Sequence, residues 1–262
     1  MDLRLNDKNA IVCGSTQGIG FAVAQQLASM GANITLLARN EDKLKAKVSE
    51  LAKTDSQHHG YIVADYSSPD SLQKKVGEFV SGSGPIHILV NNTGGPPGGL
   101  VSMAKTEEFT DAFSKHLVCN HILATAVIPG MKAAGYGRIV NVISTSVKQP
   151  LSGLGVSNTV RGAVANWAKT MANELGEHNI TVNNVLPGAT NTARLSSIVS
   201  NKATKTGRSE EEVKSEMANA VPMKRVAEPH EVANAVAFLA SPAASYINGI
   251  NLPVDGGRTG SL

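Results

Sequence analysis

The feature that most constrains this chain is a glycine-rich turn close to its start. A short apolar run, from Ala10 to Cys13, breaks at Gly14, and a polar loop containing Gly18 and Gly20 leads into a helical pattern. This order predicts a strand, a tight turn and a helix. The glycines suit a turn that bends sharply, brings backbone N–H groups close to a pyrophosphate and packs the helix against the strand. We expect a dinucleotide at the positive end of this helix, the alternative being a turn with a purely structural role.

The rest of the chain alternates between short apolar runs and helical patterns. We expect strands at 33–38, 61–64, 86–90, 138–143, 181–186 and 250–254, with helices between them. This alternation predicts an α/β fold, a Rossmann-like, doubly wound and mostly parallel sheet with helices on both faces. Because no composition break or repeat marks a boundary, residues 1–262 are expected to form a single domain. The charged stretch at about 189–221 is interpreted as a mobile substrate-covering segment with a short helix, or else as a solvated surface excursion.

Composition argues against several classes of partner and site. Lys and Arg number 24 against 21 Asp and Glu, and the positive residues are scattered, so we expect no nucleic-acid surface. No unbroken apolar segment is long enough to cross a bilayer, and the first residues lack a signal-peptide pattern, which predicts a cytoplasmic protein without membrane contact. Cys13 and Cys119 have no metal-ligand spacing, so we expect buried thiols and no metal site.

The residue at the end of the second strand indicates which nicotinamide cofactor is bound. An acidic side chain there would bind the adenosine ribose diol of NAD and repel a 2′-phosphate, whereas an arginine can bind that phosphate. In this sequence Ala38 stands where that acidic side chain would be, and Arg39 and Asn40 follow it. The sequence therefore favours NADP(H) over NAD(H), with a solvated arginine as the alternative. Asp65 and Tyr66 follow the third strand, where an adenine could be received.

Two further strand ends carry candidate site residues. Gly94 and Gly95 follow the fourth strand and permit close backbone approach to a ligand at the carboxyl edge of the sheet. Residues 96–99 are rich in proline and glycine and predict a loop at the mouth of the site. The fifth strand delivers Ser144 to the same edge.

These motifs together resemble the classical short-chain dehydrogenase/reductase family, including its 3-oxoacyl-acyl-carrier-protein reductases. The likeness extends along nearly the whole chain: the glycine turn is followed by matching segments at 91–94, 137–144, 183–192, 238–242 and 254–257. The resemblance implies a one-domain enzyme, usually a dimer or tetramer, that moves hydride between a nicotinamide and a small-molecule carbonyl or alcohol.

The resemblance also implies cofactor contacts. It assigns Asn91 and Gly94 to the floor under the cofactor, Asp65 to the adenine, and Thr190 and Thr192 to the nicotinamide amide and phosphate region. With the glycine turn and the strand ends, the expected cofactor-binding residues are Gly14, Ser15, Thr16, Gln17, Gly18, Ile19, Gly20, Arg39, Asn40, Asp65, Tyr66, Asn91, Thr93, Gly94, Arg161, Pro187, Gly188, Thr190 and Thr192.

The catalytic positions depart from the family pattern of Asn, Ser, Tyr and Lys. Ser144 matches the serine, but the positions of the tyrosine and lysine are occupied by Ser157 and Arg161. His116 aligns with the asparagine, and Asn120 lies one helical turn further on. Only one of the four positions is clearly kept.

The missing tyrosine matters because the alkoxide formed by hydride transfer must receive a proton. A serine hydroxyl is a far weaker acid than tyrosine, whose pKa is about 10. Arg161 could hold the ribose hydroxyls of the nicotinamide but cannot carry protons. Our hypothesis is that Ser144 and Ser157 hydrogen-bond the substrate oxygen while a water, fed by His116, supplies the proton. The simpler interpretation of His116 is a helix residue bonded to a neighbouring carbonyl.

Two functions are compatible with these residues. The first is an NADP-dependent oxidoreductase with an atypical catalytic site, including hydride chemistry on a substrate that needs little proton assistance. The second is a cofactor-binding pseudoenzyme of the same fold that serves as a sensor or assembly partner. The identity of the substrate cannot be read from the sequence. The resemblance predicts a homo-oligomer, and apolar helix faces near Thr125 and after Val156 could form its interface or an internal core.

Overall fold

The computed structural model describes residues 1–261, and its centre is a seven-stranded parallel sheet. The strands are β1 Asn9–Cys13, β2 Asn33–Ala38, β3 Gly60–Val63, β4 Ile88–Asn91, β5 Gly137–Val142, β6 Ile180–Pro187 and β7 Asn251–Val254. The helices are α1 Gly18–Ser29, α2 Glu41–Ser49, α3 Pro69–Gly82, α4 Thr106–Phe113, α5 Cys119–Ala134, α6 Gly155–Leu175, α7 Ala193–Thr206, α8 Glu210–Asn219 and α9 Pro229–Ala240.

The strand order, β3-β2-β1-β4-β5-β6-β7, confirms the expected Rossmann-like fold. The chain first builds the sheet outwards from β1 and then returns to add β4 on the other side of β1. Ligands of such sheets bind at the carboxyl ends of the strands, where the order reverses. The fold therefore brings the ends of β1 and β4 together at the expected site.

Helices cover both faces of the sheet, as predicted. One face packs against α1 and α9, whose Leu27 and Val236 are fully buried, and the other packs against α3, α5 and α6. Strand residues alternate between the two cores: Val90 faces the first and Leu89 the second. Burial on both faces explains why the strands read as continuous apolar runs.

Two regions differ in detail from the sequence-based expectation. The helical region expected between the fourth and fifth strands, residues 106–134, is divided, since a π-helical turn, Ser114–Val118, joins α4 to α5. The segment at 189–221 contains two helices, α7 and α8, rather than one short helix. The two helices pack against each other through a small apolar cluster that includes Leu195, Val199 and Val213. Because each helix has few apolar residues in this cluster, the helical periodicity of the sequence is weak there.

The expectation that no segment could cross a bilayer needs one correction. The continuous helical stretch Thr106–Ala134 is long and apolar enough to do so by length and composition alone. In the fold, however, Cys119, Leu123, Val127 and Met131 on this stretch are fully buried against the sheet. The apolar residues on this side of the stretch thus pack against the sheet.

Candidate active site at the carboxyl edge of the sheet

The glycine turn brings β1 and α1 into direct contact. A Cβ built on Gly20 would lie 2.3 Å from the Gly14 carbonyl oxygen, and one built on Gly14 would lie 2.7 Å from the Asn92 carbonyl oxygen. Gly14 and Gly18 also have positive φ angles of 58° and 56°. The Asn92 side chain donates hydrogen bonds to the carbonyls of Cys13 and Gly14, at 3.2 and 3.3 Å. Sequence reasoning missed this role of Asn92, although it follows the expected site residue Asn91 directly.

The N-terminus of α1 is open to an anion. No side chain caps it, Gln17 at the N-cap position makes no side-chain hydrogen bond there, and the first turn has no acidic residue. The free N–H groups and the helix dipole therefore fit a phosphate group. Thr16, Gln17 and Ile19 line this end with at least partly exposed side chains.

Ser15 has a different role from its neighbours in the turn. Its side chain is fully buried, and its Oγ accepts a hydrogen bond of 3.0 Å from the Leu37 N–H. The Gly14 N–H donates to the Leu37 carbonyl at 2.9 Å. These bonds fix the turn to the end of β2, and the Ser15 side chain is not exposed to a ligand because it is fully buried.

The end of β2 has the features expected of an NADP site. Ala38 offers no carboxylate, and Arg39 is exposed. Asn40 caps α2, because its Oδ1 accepts from the Lys43 N–H at 2.9 Å, which leaves its NH2 group available to a ligand. Asp65, in reach of the Arg39 charge, accepts hydrogen bonds from the Ser67 N–H and hydroxyl, and these bonds lower its pKa.

The expectation for Tyr66 requires a correction. Its ring is buried in the core between β1 and α5. Burial raises the pKa of its phenol well above the usual value, and the neighbouring Cys13 is a smaller cause of this rise. Cys119 donates from its thiol to the Tyr66 carbonyl. The ring belongs to the core rather than to an open adenine site, because the residue after Asp65 turns inward.

A ladder of asparagine side chains crosses four strands beneath the site. Asn91 on β4, Asn141 on β5, Asn184 on β6 and Asn251 on β7 are paired in register. Each Nδ2 donates to the Oδ1 of the next residue, at 2.8, 2.9 and 2.8 Å. Only Asn91 was expected as a site residue. The signal for the others was an asparagine in each successive strand.

Ser144 follows β5, and within residues 1–261 its hydroxyl acts only as a hydrogen-bond acceptor. Its Oγ accepts a hydrogen bond of 3.1 Å from the Ser146 N–H and begins a 3-10 turn. A serine that accepts in this way can still donate its O–H to a substrate oxygen. Ser157 lies in the first turn of α6 and is partly exposed.

The end of β6 and its following turn bring the remaining expected residues to this edge. The Gly188 N–H donates to the Val254 carbonyl at 3.0 Å, which fixes the turn after Pro187. Thr190 and Thr192 donate from their hydroxyls to the carbonyls of Gly188 and Thr190. Thr192 reaches the glycine turn, since a Cβ on Gly18 would lie 3.2 Å from its Cγ2.

The environment of Gly94 leaves room for a ligand. A Cβ built there would meet no atom within 4 Å, and both Gly94 and the neighbouring Thr93 are at least partly exposed. Contacts within the protein would therefore allow a larger side chain at this position. The open space fits the approach of a cofactor.

His116 does not have the near-neutral pKa on which a proton-supplying role depends. It lies in the π-helical turn and is 2% exposed. Burial lowers the pKa of His116 to about 3, helped by the positive charges of Arg161 and Lys115 and opposed by a hydrogen bond with the Gly94 backbone. At neutral pH the imidazole therefore carries no exchangeable extra proton, which corrects the premise taken from its unperturbed value.

Arg161 is held at the end of β5. Its side chain is 8% exposed, its Nη1 donates to the Val142 carbonyl at 3.2 Å, and its buried Nε has no partner among the described residues. Burial, with a smaller contribution from Arg194, lowers the pKa of Arg161 to about 10, so the group remains charged at neutral pH. A permanently charged group is thus bonded to the carbonyl that lies two residues before Ser144 in the sequence.

The proline- and glycine-rich mouth loop is anchored rather than free. The Gly99 N–H donates to the Gly153 carbonyl at 2.8 Å, and the Gly155 N–H donates to the Gly99 carbonyl at 3.0 Å. Gly155 also packs against Val101, where a Cβ would lie 2.5 Å from the Val101 Cβ. The loop therefore covers the start of α6, two residues before Ser157.

Comparison with known proteins supports the fold and the motifs. The sequence matches the family described as enoyl-(acyl carrier protein) reductase over residues 14–259. It is 31% identical to the 3-oxoacyl-[acyl-carrier-protein] reductase of Chlamydia muridarum, with 98% of this chain and 99% of that protein covered.

Two solved structures are similar over essentially their whole length. One is L-sorbose reductase from Gluconobacter frateurii in complex with NADPH and L-sorbose, at 31% identity, a TM-score of 0.93 and full coverage of both chains. The other is YwfH, an NADPH-dependent reductase involved in bacilysin biosynthesis, at 30% identity, a TM-score of 0.92 and coverage of 97% of this chain and 99% of that one. The chain therefore belongs to the classical short-chain dehydrogenase/reductase family of NAD(P)-dependent oxidoreductases.

Proposed function

We propose that the protein is an NADP(H)-dependent reductase that transfers hydride between the nicotinamide and a small carbonyl or alcohol substrate, using Ser144, Ser157 and Arg161. The observation that carries the proposal is the position of the buried Arg161 guanidinium, which is bonded at the end of β5 to the Val142 carbonyl, two residues before Ser144. The open N-terminus of α1 lies at the same edge of the sheet and fits the cofactor phosphates.

The preference for NADP(H) rests on the end of β2. Arg39 is exposed there and no acidic residue stands at Ala38, so a 2′-phosphate would meet a cation rather than a carboxylate. The two similar solved reductases are described as NADPH-bound or NADPH-dependent. This agrees with the charge at the end of β2.

The proposed chemistry assigns a task to each side chain. NADPH, when bound, supplies a hydride to the carbonyl carbon, and the carbonyl oxygen becomes an alkoxide that must gain a proton. Ser144 and Ser157 donate hydrogen bonds to that oxygen, and the fixed charge of Arg161 stabilises its negative charge. The proton comes from water, since neutral His116 is not an acid at neutral pH. Arg161 also offers donors to the nicotinamide ribose.

We infer that the segment at 189–221 covers the substrate. Helices α7 and α8 share their own apolar cluster and join the body through short backbone contacts, such as the Asn191 N–H to the Ala227 carbonyl at 2.8 Å. A unit held together internally and attached at its ends can move as one piece. We also propose a cytoplasmic dimer or tetramer without a nucleic-acid or membrane partner, on the basis of the family resemblance.

The second candidate function is a cofactor-binding pseudoenzyme. It is favoured by the low pKa of His116 together with the absence of a tyrosine at Ser157, because no side chain at the site is then a good proton donor. Both candidates require cofactor binding, and they differ only in turnover.

The cofactor proposal is tested by fluorescence titration of the protein with NADPH and NADH. We expect tighter binding of NADPH, and a loss of about tenfold in the affinity for NADPH, but not for NADH, in Arg39→Ser, because one charge-assisted contact to phosphate is removed. Lys74→Ser removes the same charge from the exposed face of α3 and should change neither affinity. Absence of binding of both nucleotides would overturn both candidate functions.

A further inference from the structure

Two arginine side chains from different helices converge on one point of the mouth loop. A Cβ built on Gly95 would lie 3.7 Å from Nη2 of Arg161, on α6, and 3.8 Å from Nη2 of Arg194, on α7. The absence of a side chain at Gly95 leaves this point open to a ligand. One small group there could contact both guanidinium groups.

The positive charge of Arg161 is not balanced by the protein. Among residues 1–261, no carboxylate forms an ion pair with it, and its one hydrogen bond is from Nη1 to the Val142 carbonyl. Its Nε is buried without a partner. A buried guanidinium without a counter-ion is costly, so this site would be stabilised by an anion.

Arg194 adds a second uncompensated charge at an unusual place. It is in the first turn of α7, where the helix dipole is positive and acidic residues are the favoured ones, and that turn contains none. Its Nη2 donates to the Pro96 carbonyl at 2.8 Å, which holds the exposed side chain against the mouth loop. Two cations thus lie beside Gly95.

Carboxylates of the protein do not neutralise the two arginines: within residues 1–261 none forms an ion pair with Arg161 or Arg194. Glu228, at the start of α9, instead accepts from the Asn191 side chain at 3.1 Å. The charge of Lys115, which also acts on His116, is paired with Asp111 at 2.7 Å.

We propose that Arg161 and Arg194 form a carboxylate-binding subsite at Gly95, so that the substrate is a short oxo acid. This inference rests on the proposed reductase function. A guanidinium fork matches the planar geometry of a carboxylate. Arg161 is bonded to the carbonyl two residues before Ser144, so the proposal places the carboxylate and the carbonyl of the substrate at the same end of β5. Nη1 is bonded to the Val142 carbonyl and Nε is buried, so Nη2, which lies beside Gly95, is the donor assigned to the carboxylate.

The inference is tested with oxamate, an unreactive carboxylate analogue of a 2-oxo acid. Oxamate is titrated by calorimetry into the NADP⁺ complexes of the wild type, Arg194→Gln and Lys205→Gln, after the affinity for NADP⁺ has been measured for each. Lys205 is exposed in the last turn of the same helix as Arg194, so its variant is a control with the same charge change.

We expect oxamate to bind the wild type, Arg194→Gln to weaken that binding by about tenfold or more, and Lys205→Gln to leave it unchanged. The affinity for NADP⁺ should be equal in all three proteins. Oxamate that fails to bind, or binds Arg194→Gln as tightly as the wild type, would overturn the inference. So would tighter binding of inorganic phosphate than of oxamate, or weaker NADP⁺ binding in Arg194→Gln. Failure of the wild type to bind NADP⁺ would instead refute the proposed function.

Discussion

The contact between Gly20 and Gly14 makes the cofactor turn sensitive to a single methyl group. Because a Cβ on Gly20 would lie 2.3 Å from the Gly14 carbonyl oxygen, Gly20→Ala must push α1 away from β1. We expect the free energy of unfolding to fall by about 1–3 kcal/mol and NADPH binding to weaken, as followed by urea denaturation and fluorescence titration.

The matched control for this change is Gly77→Ala in the middle of α3, where a Cβ would meet no atom within 4 Å. That variant should be about 0.5–1 kcal/mol more stable and bind NADPH as before, because alanine suits a helix interior better than glycine. Normal NADPH binding by a fully stable Gly20→Ala protein would contradict the proposed fit of the turn.

His116 gives the fold a specific sensitivity to acid. Its pKa is about 3 in the folded state and near 6.5 when unfolded, so below pH 6.5 the unfolded chain binds a proton that the folded chain does not. Stability therefore falls as the pH drops from 6.5 towards 3, by about 2 kcal/mol from this group at pH 5. In His116→Gln the decrease in the free energy of unfolding between pH 7 and pH 5 should be smaller by that amount.

The matched comparison is His87→Gln. Burial and the charge of Lys8 also lower the pKa of His87, but it lies at the start of β4, away from Arg161. The His87→Gln protein should therefore keep the part of the decrease in the free energy of unfolding between pH 7 and pH 5 that His116 causes. An identical pH dependence in the wild type and His116→Gln would contradict the neutral state assigned to this imidazole.

The identity of the site residues was predictable from the sequence, but the surroundings of their side chains were not. The departure of Ser157 and Arg161 from the family pattern was visible in the sequence. The burial of His116, and with it the loss of its near-neutral pKa, depends on a π-helical turn that no local pattern indicates. Arg194 was missed because its partners, Gly95 and Arg161, are distant in sequence.

Among the elements, the asparagine ladder joins the four strands that lead to the site. Asn141 in its middle donates to Asn184 and accepts from Asn91, and all three side chains are buried. Asn141→Ala would leave one donor and one acceptor without partners. We expect a loss of about 2–4 kcal/mol in the free energy of unfolding, measured by urea denaturation.

The end of the ladder provides the control. Asn251 accepts one bond from Asn184 and is only partly buried, so Asn251→Ala should cost about 0.5–1.5 kcal/mol. Equal effects of the two substitutions would indicate that the ladder bonds contribute nothing beyond the loss of side-chain packing.

The mouth loop is held against the start of α6 by backbone hydrogen bonds and by close packing. Gly155 lies against Val101, so Gly155→Ala should detach the loop from the start of α6. We expect about tenfold faster hydrogen exchange at the amides of Gly99 and Gly155, since a factor of ten corresponds to about 1.4 kcal/mol of lost contact. Gly162→Ala, in α6 with no neighbour within 4 Å, should leave both amides protected. Protection that persists in Gly155→Ala would contradict this description of the loop.

Element type was predictable from the sequence wherever apolar periodicity was strong. All seven strands and the long helix α6 were expected, because buried strands and an amphipathic helix impose clear patterns. The division of 106–134 and the pair α7 and α8 were not, since a π-helical turn and a small cluster of single apolar residues leave no such pattern.

At the scale of the molecule, the doubly wound order explains why distant segments form one site. The ends of β1, β4, β5 and β6 are neighbours in the sheet, so the glycine turn, Asn91, Ser144 and Thr190 meet at one edge although they are spread over most of the chain. This assembly was predictable from the alternation of strands and helices. The convergence of Arg161 and Arg194 beside Gly95 was not, because it depends on how the elements pack.

The central claim is that this site reduces a carbonyl without the tyrosine of its family. The most direct test is a single-turnover reaction with NADPH deuterated on the transferred position of its nicotinamide, offered to a panel of short oxo acids, ketones, ketoacyl thioesters and quinones. The account predicts that at least one carbonyl compound becomes an alcohol carrying one deuterium, at a rate reduced at least about tenfold in Ser144→Ala through the loss of one oxyanion hydrogen bond. Tight binding of NADPH with no deuterium transferred to any compound would contradict it and identify a cofactor-binding pseudoenzyme.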